Sequence, residues 1–144
     1  MRAIRAILLG LASLVMGAAA SPSPVGIWRT FDDRTGKESG RVAITEQAGT
    51  LTGRITGILD PHDAVQICTL CTGARHDQPV LGMTVLTGMH RDGNEWDGGQ
   101  ILDPRTGSIY HCTLRLEDGG ARLVVRGYVG ISLFGRSQTW WRAG

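Results

Sequence analysis

Apolar and polar residues alternate in short segments along most of the chain, as they do in β-strands that bury one face. Val42 and Ile44 share a face in one segment, and Leu123 and Val125 lie opposite Arg122 in another. No segment after residue 20 carries apolar residues at i, i+3, i+4 and i+7 over three turns, so the pattern does not predict long helices. We predict eight strands near 26–31, 40–46, 51–58, 82–90, 95–102, 108–116, 121–129 and 133–142.

The connections between these strands are mostly short and rich in turn-forming residues, as in the segments 91–94 and 103–107. Short connections make consecutive strands antiparallel neighbours. The chain contains 21 glycines, which suit sharply bent strands and tight turns. These features predict an all-β domain, either a closed antiparallel barrel or a two-sheet sandwich.

In the fourth predicted strand, alternation places four apolar residues on one face: Leu81, Met83, Val85 and Met89. The segment 60–80 interrupts the rhythm of strands with two prolines and two cysteines, and we expect a long ordered loop with one short helical turn there.

The first twenty residues have the three parts of an export signal. Arg2 and Arg5 give a cationic start, residues 6–16 are almost purely apolar, and small residues follow at 17–20. The apolar run is shorter than the ~20 residues that span a bilayer, so a stable membrane anchor is not expected. We predict cleavage after Ala20, export to the periplasm or beyond, and one domain over residues 21–144.

The charge balance argues against a polyanionic partner. The formal net charge is +2, and removal of Arg2 and Arg5 from the 15 basic residues would balance the 13 acidic ones. This is too little charge to indicate nucleic acid or an anionic membrane as a partner.

The three cysteines allow several kinds of chemistry. Cys68 and Cys71 have the Cys-x-x-Cys spacing of a redox pair, but they lie in a loop between strands and not at the start of a helix. Because exported proteins meet an oxidising compartment, we expect a structural disulfide. We favour Cys68–Cys71, which requires the least chain closure and leaves Cys112 as a buried thiol; the alternative is a Cys71–Cys112 pair, which would tie the loop to the barrel.

Catalytic motifs are not apparent in this sequence. It contains no Gly-x-Ser-x-Gly elbow and no phosphate-binding loop, and the acidic pairs at 32–33 and 117–118 fall in predicted turns. We therefore expect a protein that is not an enzyme and has no cofactor or metal. The alternative is a metal or redox protein that uses the Cys/His loop, with a ligand set completed by one of Cys112, His111, His62 or His76.

From Pro79 onward the sequence resembles a bacterial exported family, "domain of unknown function 2147". The resemblance rests on Pro79-Val-Leu-Gly-Met, Gly93-Asn-Glu-Trp-Asp-Gly-Gly, Ile101-Leu-Asp-Pro, Tyr110-His-Cys, Arg126-Gly-Tyr-Val-Gly and Phe134-Gly-Arg-Ser-Gln-Thr-Trp, with Val25-Gly-Ile-Trp and Cys68-Thr-Leu-Cys before them. It covers roughly residues 25–142 and implies a small eight-stranded, up-and-down, lipocalin-like (calycin-type) barrel in the periplasm. The resemblance implies no established reaction.

The first and last predicted strands carry a further lipocalin-like feature. Gly26-x-Trp28 opens the first strand, and Arg136 and Arg142 lie on the last. In lipocalins, which this arrangement resembles, the indole of such a Trp stacks under an Arg and closes one end of the barrel. We therefore expect Trp28 to be buried near one end, with Arg136 or Arg142 over its ring.

Aromatic and polar residues on the predicted strands are the candidates for ligand contacts. Arg136, Gln138, Trp140 and Arg142 share one face of the last strand. A small ligand requires an apolar pocket with a few polar groups that orient it. The ligand-binding candidates are Trp28, Trp96, Tyr128, Arg136, Gln138 and Trp140.

Two functions from different classes fit these observations. The first is a periplasmic binding module that holds a small, mostly apolar ligand inside its barrel. The second is a protein–protein interaction or inhibitor module of the cell envelope that acts through the loop 60–80. A hollow interior favours the first, and a filled interior with an exposed apolar patch on the loop favours the second.

Overall fold

The computed structural model describes residues 13–15, 17, 21–59 and 65–144. The predicted signal peptide lies largely outside these residues, as does His62. Eight strands form a single sheet: β1 (Gly26–Phe31), β2 (Glu38–Gln47), β3 (Thr50–Ile58), β4 (Thr84–Asp92), β5 (Glu95–Asp103), β6 (Ser108–Glu117), β7 (Arg122–Tyr128) and β8 (Gly135–Arg142). No helix in the described segments is long and apolar enough to cross a membrane.

The sheet is a closed barrel in which each strand pairs antiparallel with the next. Closure comes from β1 and β8, where Trp28 lies opposite Arg142 and Arg29 opposite Trp141. This confirms the predicted eight strands, whose ends differ from the predicted ones by only a few residues, and it selects the barrel over the sandwich. Because consecutive strands run in opposite directions, the β1–β2, β3–β4, β5–β6 and β7–β8 connections all lie at one end of the barrel.

The core of the barrel is built from residues that alternate along the strands and point inward. Twelve buried residues form one cluster: Trp28, Val42, Ile44, Leu51, Leu86, Met89, Trp96, Cys112, Leu114, Leu123, Val125 and Trp140. Glycines in the strands make room for it, since a Cβ on Gly53 would lie 2.9 Å from Cβ of Leu86 and 3.2 Å from Cγ1 of Val42. The interior is therefore tightly packed around these positions.

The predicted common face of the fourth strand is partly wrong. Leu81 is exposed, whereas Leu86, which simple alternation places on the opposite face, is fully buried beside Met89. The pairing of β4 with β3 shifts register twice, between Leu51 and Gly53 and again after Gly53. Each β-bulge adds a residue to one strand and reverses the alternation that follows, which is why Leu86 faces inward. Leu81 lies in the loop before β4, which begins at Thr84.

One end of the barrel is closed by Trp28 and Arg142. The indole is fully buried and donates from Nε1 to the carbonyl of Pro24 at 2.8 Å. The Arg142 guanidinium carbon lies 4.3 Å from the centre of the Trp28 ring, within the range of a cation–π interaction. The predicted stack is confirmed, with Arg142 as the stacked residue; Arg136 lies toward the opposite end, paired with Asp33.

Arg142 also binds the chain where it enters the barrel. Its guanidinium donates to the carbonyls of Ser23, Val25 and Gly120, at 2.8, 2.9 and 2.9 Å. Gly26 leaves space for this group, because a Cβ there would lie 2.6 Å from Nη1 of Arg142, and its φ of +142° is a conformation that suits glycine. In the Gly-x-Trp feature, the glycine therefore allows the close approach of Arg142, and the tryptophan supplies the ring on which Arg142 stacks.

The segment 65–83 is an ordered loop held by a disulfide. Cys68 and Cys71 are bonded, as expected, with their Cα atoms 5.3 Å apart. Ile67 and Pro79 form an isolated antiparallel bridge, and the predicted short helical turn is a 3₁₀ turn at Gly73–Arg75. The disulfide lies in a second buried cluster with Val80, Met83, Val85 and Leu102.

Cys112 is a free, fully buried cysteine in the main core, and its burial raises the pKa of the thiol to about 12. We expect one reactive thiol per chain after denaturation without reductant, and none in the native protein at pH 8. Raised pH should also weaken the fold above pH 9, because the unfolded thiol then ionises more readily than the buried one. Thiol counting with and without denaturant checks this, and three thiols in the denatured sample would contradict the disulfide.

Candidate ligand-binding cavity

The end of the barrel opposite the Trp28–Arg142 stack is open. A cavity of about 770 Å³ enters there and extends into the barrel. This volume falls within the range of sites that hold small organic ligands. Its apolar lining is mainly aliphatic, formed by side chains from several strands and from the loop: Val42, Ile55, Ile58, Val65, Val80, Val85, Ile101, Leu102 and Val125.

A row of residues on β8 contributes the polar part of the wall. Trp140 is buried at the inner end, and its Nε1 donates to Oε1 of Gln138 at 3.3 Å. Nε2 of Gln138 donates to Oδ2 of Asp33 at 2.8 Å, and Arg136 pairs with the same oxygen at 3.2 Å. Three of the predicted candidates therefore lie together on the cavity wall, on the common inner face that alternation predicts.

Tyr110 is a cavity residue that was not among the predicted candidates. It lies on β6 two residues before the buried Cys112, and both residues point into the barrel. Gly127 on β7 leaves space for its ring, since a Cβ on Gly127 would be 3.4 Å from Cβ of Tyr110. Within the described segments its hydroxyl has no hydrogen-bond partner, so it is available to a ligand. Extending the alternation back from Cys112 would have indicated this position.

The other three candidates occupy different environments. Trp28 forms the closed end, and Trp96 is buried in the main core with Arg91 over its ring at 5.5 Å; neither lines the cavity. Tyr128 lies at the cavity mouth, but its ring is 5.4 Å from that of His111, an exposed residue opposite it on β6. Burial and stacking account for Trp28 and Trp96, and neither belongs to the candidate ligand site.

The mouth of the cavity is polar on the β1–β2 side. Asp32 begins the turn and accepts hydrogen bonds from the backbone N–H groups of Arg34 and Thr35, at 2.8 and 3.0 Å. The side chains of Arg34 and Arg105 lie 3.3 and 3.4 Å from the other carboxylate oxygen. The hydrogen bonds from Arg34, side chain first, lower the pKa of Asp32 to about 2.

The low pKa of Asp32 makes this turn sensitive to acid. A carboxyl whose pKa is lowered by folding stabilises the fold above its unfolded pKa of 3.8, and that contribution is lost as the pH falls toward 2. We expect the turn to remain ordered at pH 4 and to loosen between pH 3.8 and 2. An NMR titration of the Asp32 carboxyl checks this, and a midpoint near 3.8 would contradict it. In Arg34→Gln the midpoint should rise.

The Cys/His loop has few groups free for metal binding. Both sulfurs of the pair are bonded to each other, Nδ1 of His76 is 2.9 Å from the carbonyl of Cys71, and its Nε2 is 3.2 Å from Asp77. Among the described residues no three His, Cys, Asp or Glu side chains form a group that could hold a metal ion. The predicted absence of a metal stays a prediction, because His62 lies outside the described segments.

A closed eight-stranded barrel with a Trp–Arg stack at one end and an open cavity at the other is a lipocalin-like barrel. A solved structure, described as protein HP1028 from the human pathogen Helicobacter pylori and as belonging to the lipocalin family, has this fold. The two structures superpose with a TM-score of 0.73 at 17% sequence identity, over 85% of this chain and 84% of that one. At this identity the similarity defines the fold alone.

Residues 26–142 match the model of a bacterial protein family, described as "Uncharacterized protein conserved in bacteria (DUF2147)", and the chain belongs to this family. This confirms the resemblance seen in the sequence. None of the curated proteins matches the chain.

Proposed function

We propose that this protein binds a small, mostly apolar ligand inside its barrel and does not catalyse a reaction. The observation that carries the proposal is the cavity itself, a space of about 770 Å³ in a barrel whose other end is closed. Such a volume could have been filled with side chains in an eight-stranded barrel. An aliphatic chain placed there would remove apolar surface from water on both partners, which supplies the main driving force for binding.

The polar groups of the site define how the ligand lies. The side chains of Gln138 and Trp140 are hydrogen-bonded to each other, and Gln138 also donates to Asp33. The inner face of β8 therefore has few hydrogen-bonding groups left for a ligand. The hydroxyl of Tyr110 and the guanidinium of Arg136 are better placed to bind an additional acceptor. We therefore assign the apolar part of the ligand to the interior, and a carboxylate, carbonyl or hydroxyl group to the side nearer the mouth.

We also propose that the protein acts after export, in the periplasm. The cationic start, the apolar run at 6–16 and the small residues at 17–20 support this location, and the Cys68–Cys71 disulfide suits an oxidising compartment. Amino-terminal sequencing of the protein from its natural host should give Ser21. An intact Met1 on the soluble protein would contradict the proposal.

The hollow barrel favours this function over an interaction module that acts through the loop 60–80. Cys68, Cys71 and Val80 on the loop are buried against the barrel, where they support the cavity wall. The segment 65–83 also exposes Ile67, Leu70 and Leu81, so the choice between the two functions rests on the hollow interior, which a bound ligand requires and an inhibitor loop does not.

The test is a titration of the purified, delipidated protein with a dansyl-labelled fatty acid. We expect saturable binding with one site per chain, a blue-shifted emission from the enclosed probe, and displacement by unlabelled apolar compounds. Linear, non-saturating fluorescence that detergent abolishes would indicate adsorption and would contradict the proposal.

A further inference from the structure

The β7–β8 connection exposes an unusual amount of apolar surface at the mouth of the cavity. Its sequence from 129 to 134 is Val-Gly-Ile-Ser-Leu-Phe. Leu133 is 75% exposed and Phe134 is 68% exposed, and Val129 and Ile131 are exposed as well. We call these four side chains the apolar tip. Large apolar residues grouped in this way on a soluble domain usually mark a surface that contacts something else.

The apolar tip lies on a turn that is held in place by hydrogen bonds. Nε and Nη2 of Arg126 donate to the carbonyl of Ser132 at 3.0 and 2.6 Å, and the N–H of Phe134 donates to the carbonyl of Ile131 at 3.1 Å. These bonds hold the middle of the loop against the barrel by its backbone. The side chains on either side of Ser132 therefore project outward, although an apolar cavity is adjacent and Phe134 lies on its rim.

The loop across the mouth adds further apolar surface. Ile67, Leu70 and Leu81 in the segment 65–83 are exposed, and this segment emerges at the same end of the barrel. At the closed end, in the part of the chain from residue 21 onward, the exposed large apolar residues are Val25, Ile27 and Trp141, of which Trp141 is 39% exposed and lies under Arg122. The exposed apolar surface is therefore concentrated around the open end.

Two ion pairs at the open end have the cation further out than the carboxylate. The side chains of Arg34 and Arg136 are 67% and 71% exposed, whereas their partners Asp32 and Asp33 are 17% and 33% exposed. Lys37, in the same turn as Arg34, is also exposed. In these two ion pairs the cation is therefore the outer partner and the carboxylate lies behind it, whereas Asp77 in the segment 65–83 is a carboxylate that stays 61% exposed.

We propose that the open end docks reversibly on an anionic lipid bilayer, with the apolar tip inserted at the level of the headgroups. Apolar side chains beside exposed cations are the combination that binds proteins to the surface of anionic membranes. The near-zero net charge does not reveal this, because it counts recessed carboxylates and exposed guanidinium groups equally. The inference goes beyond ligand binding, and it would bring the cavity mouth to the headgroup layer of the membrane.

Flotation with vesicles tests the proposal, using the protein lacking residues 1–20. We expect the protein to float with vesicles of phosphatidylglycerol and phosphatidylethanolamine, to float much less with phosphatidylcholine alone, and to dissociate as salt is raised. In Leu133→Ser/Phe134→Ser the bound fraction at a given lipid concentration should fall at least fivefold. The matched control is Val25→Ser/Ile27→Ser, which removes two exposed apolar residues from the closed end and should bind as the unchanged protein does.

Several outcomes would overturn the proposal: no flotation with any vesicle, equal losses in the two double variants, or equal, salt-independent binding to anionic and zwitterionic vesicles. Circular dichroism of both variants ensures that a loss does not reflect unfolding. The Ile101→Trp variant, which fills the cavity without touching the apolar tip, separates the two proposals. It should still float when its binding of the dansyl-labelled fatty acid is lost.

Discussion

Replacing Trp28 with alanine should lower the free energy of unfolding by roughly 3–5 kcal/mol, the usual cost of deleting a buried tryptophan. The indole is fully buried, and its removal also ends the stack with Arg142 and the hydrogen bond to Pro24. For a domain of this size the loss corresponds to a fall in the thermal midpoint of about 10 °C or more. Thermal and denaturant unfolding of the variant measures it.

Conservative substitutions at the closed end distinguish the stability that comes from burial of the indole from the stability that comes from its stack with Arg142. Trp28→Phe keeps much of the apolar area and should cost less than the alanine variant. Arg142→Lys should also destabilise, because a lysine cannot bind three separate carbonyls and stack on the ring at once. Arg136→Lys, at the other end, should cost little. An unchanged thermal midpoint in Trp28→Ala would contradict the structural role that we assign to Trp28 at the closed end.

Replacing Ile101 with tryptophan should lower the affinity for the dansyl-labelled fatty acid at least tenfold, a loss of about 1.4 kcal/mol or more. Ile101 lies on the cavity wall beside the main core, opposite Tyr110 on the neighbouring strand. An indole at this position would occupy space that the ligand needs. Because the cavity is already open, the larger side chain should cost only ~1–3 kcal/mol of stability.

The matched control for Ile101→Trp is Ile109→Trp, the same substitution made one residue before Tyr110. Ile109 is exposed and does not line the cavity, so this variant should bind the fatty acid with unchanged affinity. Equal affinity in the two variants, with both folded, would show that the probe binds elsewhere.

The strand pattern and the closed end could be predicted from the sequence because both depend on local rules. Alternation and turn residues set the strands, and the inner face of β8 follows from period two through Arg136, Gln138 and Trp140. The Cys68–Cys71 pairing was predictable from loop closure. Gly26-x-Trp28 indicated the stack, although the choice of Arg142 over Arg136 depended on which end of β8 meets β1.

The rest of the site depends on register and on three-dimensional shape. The two bulges between β3 and β4 bring Leu86 inward beside Met89, and Leu81 is exposed because it lies before β4, which begins at Thr84. Whether a barrel is hollow depends on how side chains from all of its strands fill a common volume, which one-dimensional patterns do not contain. The sequence likewise does not show how deeply each charged side chain lies at the rim of the cavity.

A crystal structure of the protein with a fatty acid that carries bromine at the end of its chain tests the central claim most directly. Anomalous scattering locates the bromine without reference to the rest of the ligand. We predict one strong peak inside the barrel, among Ile55, Ile101 and Val125, with the carboxylate toward Tyr110 and Arg136 at the mouth. Bromine found only on the outer surface, or an interior still empty at saturating ligand, would contradict the account.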